Sequence, residues 1–248
     1  MKYLLILLSA FLFSCKSSET KLTAQQIIDK TIVYSGADKV ANSQISFQFR
    51  DKEYIALRKT NGKFVLIRNH RKENYGTISD IVTNNGFKRE LNAHEFSVAD
   101  SMKNKYSNSV NSVHYFSVLP YGLNDKAVNK KLLKPVTIKG KEYYKIEVTF
   151  SENGGGEDFE DVFIYWIGKE DFLIDYLAYS YHTNGGGKRF RVLKEQCIIK
   201  GIRFVDYHNY KSLTKDISLN NIDKAFENNE LKKVSEIILK DIKVKILD

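Results

Sequence analysis

Two strand-length runs in the second half of the chain are apolar on both faces, and this limits the fold more than any other feature. Val162 to Ile167 reads Val-Phe-Ile-Tyr-Trp-Ile, and Phe172 to Tyr179 reads Phe-Leu-Ile-Asp-Tyr-Leu-Ala-Tyr. Successive side chains of a strand point to opposite faces. Phe163, Tyr165 and Ile167 therefore share one face and Val162, Ile164 and Trp166 the other; Phe172, Ile174 and Tyr176 likewise oppose Leu173, Leu177 and Tyr179. An antiparallel sheet usually leaves one face to water, so here something must cover the second face. Amphipathic helices and curvature of the sheet are the two means available. The expected fold class is mainly β (α+β): a strongly curved or barrel-like antiparallel sheet with helices against its concave side, whose closure or near-closure also protects the edges of many strands.

The rest of the chain supplies the parts. Thr23 and Gln26 form a capping-box pattern, and Ile27, Ile28, Thr31 and Ile32 recur at helical spacing until Gly36. The period then becomes two: Ile45, Phe47 and Phe49 alternate with polar residues, and runs at 53–59, 64–68, 78–83 and 87–91 are joined by Asn61-Gly62 and Asn85-Gly86, both hairpin signals. Met102, Tyr106, Val110, Val113 and Phe116 mark a second helix over 98–117, which Pro120 stops. Strands follow at 143–150, 162–167, 172–181, 189–197 and 202–210, then a short helix near 222–226 and a closing strand through Ile242, Val244 and Ile246. With 248 residues, two prolines and no shift in composition, a single domain is expected.

The N-terminus points to a compartment. Met1-Lys2 precedes an apolar run from Tyr3 to Phe13, too short to span a hydrocarbon core of about 30 Å. Leu12-Phe13-Ser14-Cys15 resembles the bacterial lipobox, in which the cysteine is diacylated, freed by cleavage and acylated again. Cys15 is thus the expected lipidation site, and three chains at about 0.8 kcal/mol per buried methylene would anchor the protein without spanning. Lys16 in place of aspartate favours the outer membrane by resemblance to enterobacterial sorting. Residues 16–21 contain one acid, Glu19, which fits a periplasm-facing protein better than a surface-displayed one. With Cys15 acylated, Cys197 stands alone in an apolar run and is expected as a core residue.

Lys141 to Phe150, Val162 to Ile167 and Leu173 to Ala178 resemble the strand-turn-strand core of the LolA/LolB-like lipoprotein carriers. Ser109 to Phe116, Leu119 to Asn124 and the stretch 154–161 resemble a family of uncharacterised flavobacterial lipoproteins, a likeness that covers most of the chain beyond the leader. The resemblance implies an incomplete antiparallel barrel capped by helices, with an apolar cavity for acyl chains. It divides the chain into a signal peptide (1–14), a lipidated tether (15–22) and one LolA/LolB-like β-domain (23–248). The cavity candidates are Phe47, Phe49, Phe64, Tyr144, Ile146, Phe163, Tyr165, Tyr179 and Tyr207.

Two triple-glycine loops, Gly154 to Gly156 and Gly185 to Gly187, belong to alternate hairpins and should lie at one end of the sheet. Acids follow the first and bases the second. Arg189, Arg191, Glu157 and Asp158 are accordingly candidates for a polar rim that holds a head group; the plain alternative is a pair of solvated, charged turns. The acidic stretch lacks EF-hand spacing, and the five histidines are scattered, so neither a metal nor a cofactor is expected. No Gly-x-Ser-x-Gly elbow is present.

Lysine and arginine number 39 against 30 acids, a formal charge of +9. Residues 50–73 carry eight bases and three acids, and 126–145 seven bases and one acid. Export argues against a nucleic-acid partner, which leaves a solvated basic face or one resting on lipid phosphate. The expected function is a non-catalytic, membrane-anchored envelope protein that binds an acyl chain, lipid or lipoprotein lipid moiety, and its anchor is expected to incorporate labelled palmitate through Cys15. The second reading is an interaction or structural module with a filled core that meets protein or glycan, its partner open; a hydrolase is third.

Overall fold

The computed structural model describes residues 21–153, 159–182, 185–214 and 216–248. Helix α1 (Ala24–Tyr34) begins at the expected capping box: the Gln26 amide donates to Thr23 Oγ1 at 3.2 Å, and the Thr23 amide donates to Gln26 Oε1 at 2.9 Å. Gly36 ends the turn at φ 67°, where a β-carbon would lie 1.7 Å from the Gly201 carbonyl oxygen. Only glycine allows that approach.

Strands β1 (Ser43–Phe49), β2 (Lys52–Arg58), β3 (Phe64–Lys72), β4 (Gly76–Thr83), β5 (Gly86–Leu91) and β6 (His94–Glu95) form a meander. Helix α2 (Asp100–Ser117) follows. Next come β7 (Val128–Leu132), β8 (Val136–Ile138), β9 (Lys141–Phe150), β10 (Val162–Gly168), β11 (Ile174–Tyr181), β12 (Gly187–Ile199) and β13 (Ile202–Ser212). Helix α3 (Ile222–Glu227), β14 (Leu231–Ile237) and β15 (Lys240–Ile246) complete the chain.

The strands make two antiparallel sheets, not closed into a barrel. One has seven strands in the order β15-β1-β2-β3-β4-β5-β6; the other has eight, β14-β13-β12-β11-β10-β9-β7, with β8 also on β9. β14 and β15 are joined by two residues yet belong to different sheets, so the chain turns a corner there. The Leu239 amide, in that corner, donates to Asp206 Oδ1 at 2.9 Å.

Helices α1 and α2 sit inside the curve, as expected. Ile27 and Ile28 of α1 pack with Ile146, Phe163, Tyr165, Leu177 and Tyr207, and Val110 of α2 packs with Ala56, Leu66 and Val82. The outer face of the eight-stranded sheet has a second core, built from Ile164, Trp166, Tyr176, Ala178 and Phe190, covered by Ile222, Phe226, Ile217 and Leu219. The two-sided strands are therefore covered from inside by α1 and α2 and from outside by the segment around α3.

Four strands carried too little apolar pattern to be seen in the sequence. β6 has two residues, β8 three, and β7 (Val-Asn-Lys-Lys-Leu) and β14 (Leu-Lys-Lys-Val-Ser-Glu-Ile) are lysine-rich edges, where charge discourages pairing with another chain. Cys197 is corrected by the structure: it is exposed. Beyond Lys194 strand β12 runs out from the covered part of the sheet, and residues 195–198 are all exposed.

Candidate functional site

The inner faces of the two sheets enclose one aromatic-rich space. Strand alternation turns the nine cavity candidates inward but into three clusters: Tyr144 and Ile146 on β9, Phe163 and Tyr165 on β10, Tyr179 on β11 and Tyr207 on β13 share one, Phe47 and Phe49 on β1 a second, and Phe64 on β3 packs against a third. They are packed side chain to side chain. Phe163 lies 5.5 Å from Tyr179 and 5.6 Å from Phe150 between ring centroids, and Phe116 of α2 closes on Tyr179 at 5.3 Å. Two hollows on the described surface lie elsewhere: one of about 420 Å³ beside α3, lined by Asp216, Lys224 and Glu230 among others, and one of about 660 Å³ at the β3–β4 turn, lined by Arg71, Lys72, Glu73, Asn74 and Gly76.

The inner space is not wholly apolar. Tyr115 of α2 and Tyr165 share a hydrogen bond at 3.0 Å, and burial pushes the Tyr115 phenol up to about 12. On the seven-stranded sheet, Asp80 accepts from Arg68 Nε at 3.0 Å and from Arg89 Nε at 2.5 Å, and the Arg89 guanidinium lies 3.3 Å from the Tyr106 ring centroid of α2. Arg68 Nη1 donates to Ser109 Oγ. The carboxylate on β4 thus gathers two arginines that also hold the first half of α2.

His114 and Arg58 are different. His114 is 1 % exposed; its Nε2 contacts the Ile67 carbonyl oxygen at 3.1 Å while its Nδ1 has no partner. Burial and the nearby Arg58 cation bring its pKa down to about 3, so the ring is neutral. A carbonyl only accepts, hence Nε2 carries the proton and Nδ1 is a bare acceptor. Arg58, 7 % exposed, places its guanidinium 5.3 Å from the Tyr121 ring centroid, and its Nη1 has no hydrogen-bond partner. Burial lowers its pKa to about 10, which leaves it charged at neutral pH.

Of the rim candidates, Arg191 faces inward and is 8 % exposed, stacked 3.8 Å from the Phe116 ring centroid with Nη2 donating to Tyr179 Oη at 3.2 Å. Arg189 is half-buried, 5.1 Å from the Tyr181 ring centroid. Glu157 and Asp158 lie outside the described residues, as does Cys15. The flanks of the two glycine loops do meet: Asp161 Oδ1 and His182 Nδ1 are 3.4 Å apart.

Arg58 and His114 were not singled out in the sequence as parts of a site. The signal was available for Arg58, since Tyr54, Ala56 and Arg58 alternate toward the inner face. For His114 the helical stripe was visible but its depth was not.

An open antiparallel half-barrel with helices lodged in its concavity is the LolA-like architecture, and solved structures bear this out. A LolA superfamily protein from Nitrosomonas europaea is similar over 92% of this chain and 96% of its own, with a TM-score of 0.51 and 14% identity, a likeness of fold. A DUF1329 family protein from Desulfovibrio piger (11% identity, TM-score 0.43, 91% of this chain and 95% of its own) and an outer-membrane lipoprotein-sorting protein domain from Vibrio parahaemolyticus (6%, 0.36, 90% and 93%) are more distantly similar. The chain belongs to the family of unknown function DUF6503, which matches residues 1–238. Among curated proteins none matches it.

Proposed function

We propose that this is an outer-membrane lipoprotein, anchored through Cys15 and facing the periplasm, that binds an acyl chain, a lipid or the lipid moiety of a lipoprotein between its two sheets without catalysing a reaction. The supporting observation is a mismatch between the inner wall and its cover. The wall presents Phe47, Tyr54, Phe163, Tyr165, Tyr179 and Tyr207, whereas α2, an 18-residue helix rich in serine and asparagine, fully buries only Val110, His114 and Ser117 and meets the wall through the partly covered side chains of Val113, Tyr115 and Phe116. Its N-cap, Ala99, makes no side-chain capping bond, and serine and asparagine are weak helix formers. A cover of this kind is displaced at lower cost than a fully apolar helix. An acyl chain in its place would gain about 25 cal/mol for each Å² of apolar surface it buries.

In the described state the inner side chains fill the space. That favours the second reading, an envelope module with a permanent core, and the two separate in one experiment. The chain carrying Cys15→Ala is purified, extracted with organic solvent and examined by mass spectrometry for stoichiometric lipid; uptake of a fluorescent fatty acid is measured in parallel. Bound lipid or saturable uptake is expected. Neither would transfer the protein to the second reading.

A further inference from the structure

Four described arginines are less than a tenth exposed: Arg58, Arg68, Arg191 and Arg203. Three have polar partners, although Arg191 Nε and Arg203 Nη2 are themselves buried without a hydrogen bond. Arg68 is held by Asp80 and Ser109, Arg203 by Gln196 and the Ile174 carbonyl at 2.9 Å, and Arg191 by Tyr179 Oη with a phenylalanine ring against its plane. Arg58 forms no ion pair among the described residues, and one of its terminal nitrogens is sealed from water with nothing to donate to. A guanidinium buried without an acceptor costs several kcal/mol. The Tyr121 ring, at 5.3 Å, returns only a fraction of that.

The site has a definite chemistry. Arg58 closes β2 on the inner face, and its two neighbours in the sheet, Ser43 and Phe64, carry no charge. Tyr121 and His114 approach it from the region of the α2 C-terminus. His114 offers a second open valence, the unpaired Nδ1 acceptor. A terminal N–H donor, Arg58 Nη1, without an acceptor, beside an acceptor without a donor, matches an oxyacid: its charged oxygen takes the guanidinium, and a hydroxyl of a half-protonated phosphate, or a water on a carboxylate, serves the imidazole.

We propose that Arg58 receives the anionic oxygen head, carboxylate or phosphate, of the ligand that lodges between the sheets. This rests on the acyl-binding reading and names the class of ligand: an acidic lipid rather than a neutral one. Held at the inner end of β2, the head would leave its chain to run along the aromatic wall.

The test compares one chain length with and without the charge. Binding of a fluorescent fatty acid and of its methyl ester is measured on the full chain carrying Cys15→Ala, and again with Arg58→Gln added. The acid is expected to bind about tenfold or more tighter than the ester, and Arg58→Gln to abolish that preference by weakening the acid alone. Phosphatidic acid and inorganic phosphate separate a lipid head from a free anion: a rise in Tm with millimolar phosphate that Arg58→Gln removes, in a protein that takes up no lipid, would assign the site to a free anion and overturn the lipid assignment. Equal binding of acid and ester, or a preference that survives Arg58→Gln, overturns the role of Arg58 and leaves the acyl-binding reading intact. Binding of neither probe overturns both. Folding is followed by thermal unfolding: a structural arginine would lower Tm on substitution, whereas removal of an unpaired buried charge is expected to hold Tm or raise it.

Discussion

On the outer face of the eight-stranded sheet the cover is fixed by charge: Lys145 Nζ donates to the Asn220 carbonyl at 2.6 Å and to Asp223 Oδ1 at 3.1 Å, and Trp166 Nε1 donates to Asp223 Oδ2 at 3.4 Å. Lys145 and Asp223 are 4 % and 2 % exposed. On the inner face α1 is held by apolar contact and by exposed hydrogen bonds from Asn124 and Lys130, and the second half of α2 by apolar contact, phenol hydroxyls, a neutral histidine and the Arg191 guanidinium stacked on Phe116. A buried ion pair tolerates little displacement, because each partner left behind is a bare charge in a medium of low polarity. Apolar contact can be exchanged for other apolar contact. The outer cover is thus built to stay, and the inner one can be replaced.

The contrast can be broken from the outer side first. Asp223→Ala leaves the Lys145 ammonium buried with one carbonyl, and the expected loss is about 3–5 kcal/mol in urea unfolding; a loss below about 1 kcal/mol would show that the lock does not hold the cover. Acid acts on the inner side. His114 has a folded pKa of about 3 against an ordinary 6.5, held down by burial and by Arg58. Between those values the unfolded chain binds a proton that the folded chain refuses. This contribution to stability is therefore full above pH 6.5 and shrinks as pH falls toward 3, by about 1.4 kcal/mol per unit. The difference between the protein and its His114→Gln variant, measured from pH 7 to pH 4, should change by about 3 kcal/mol; a constant difference would mean that His114 titrates normally. The smallest effect concerns α1. Thr23→Ala removes one half of the capping box and should cost about 1 kcal/mol, seen as faster amide exchange confined to the first turn of α1.

Much of this architecture is legible in the sequence because period-two and helical patterns report burial directly. The run Val162 to Ile167 states that both faces are covered, and Thr23 with Gln26 locates the start of α1 to the residue. What covers the outer face was less visible. Residues 213–230 interleave Ile217, Leu219, Ile222 and Phe226 with lysine, aspartate and asparagine; the short helix near 222–226 is legible there, but not that this segment covers Trp166 and Phe190. Cys197 misleads for the opposite reason, since an apolar run can continue into a stretch of strand whose side chains at 195–198 stay exposed. The chemistry of the inner space depends on which charges find partners. Arg58 and Arg68 are alike in sequence, inward-facing arginines on neighbouring strands; only the position of Asp80 across β3 makes one of them paired and the other not.

The corner between β14 and β15 also bears on how the molecule is made. β15 pairs with β1, Ser43 against Ile246 and Ile45 against Val244, so the first strand of the meander gains its second neighbour only from the last strand of the chain. Contacts this distant in sequence form slowly. A polypeptide that emerges N-terminus first must wait, with one edge of its first sheet unpaired, until residues 240–246 are free. During that interval the edge can be met by another chain or by a chaperone, and removal of the last nine residues should leave the meander permanently in this waiting state.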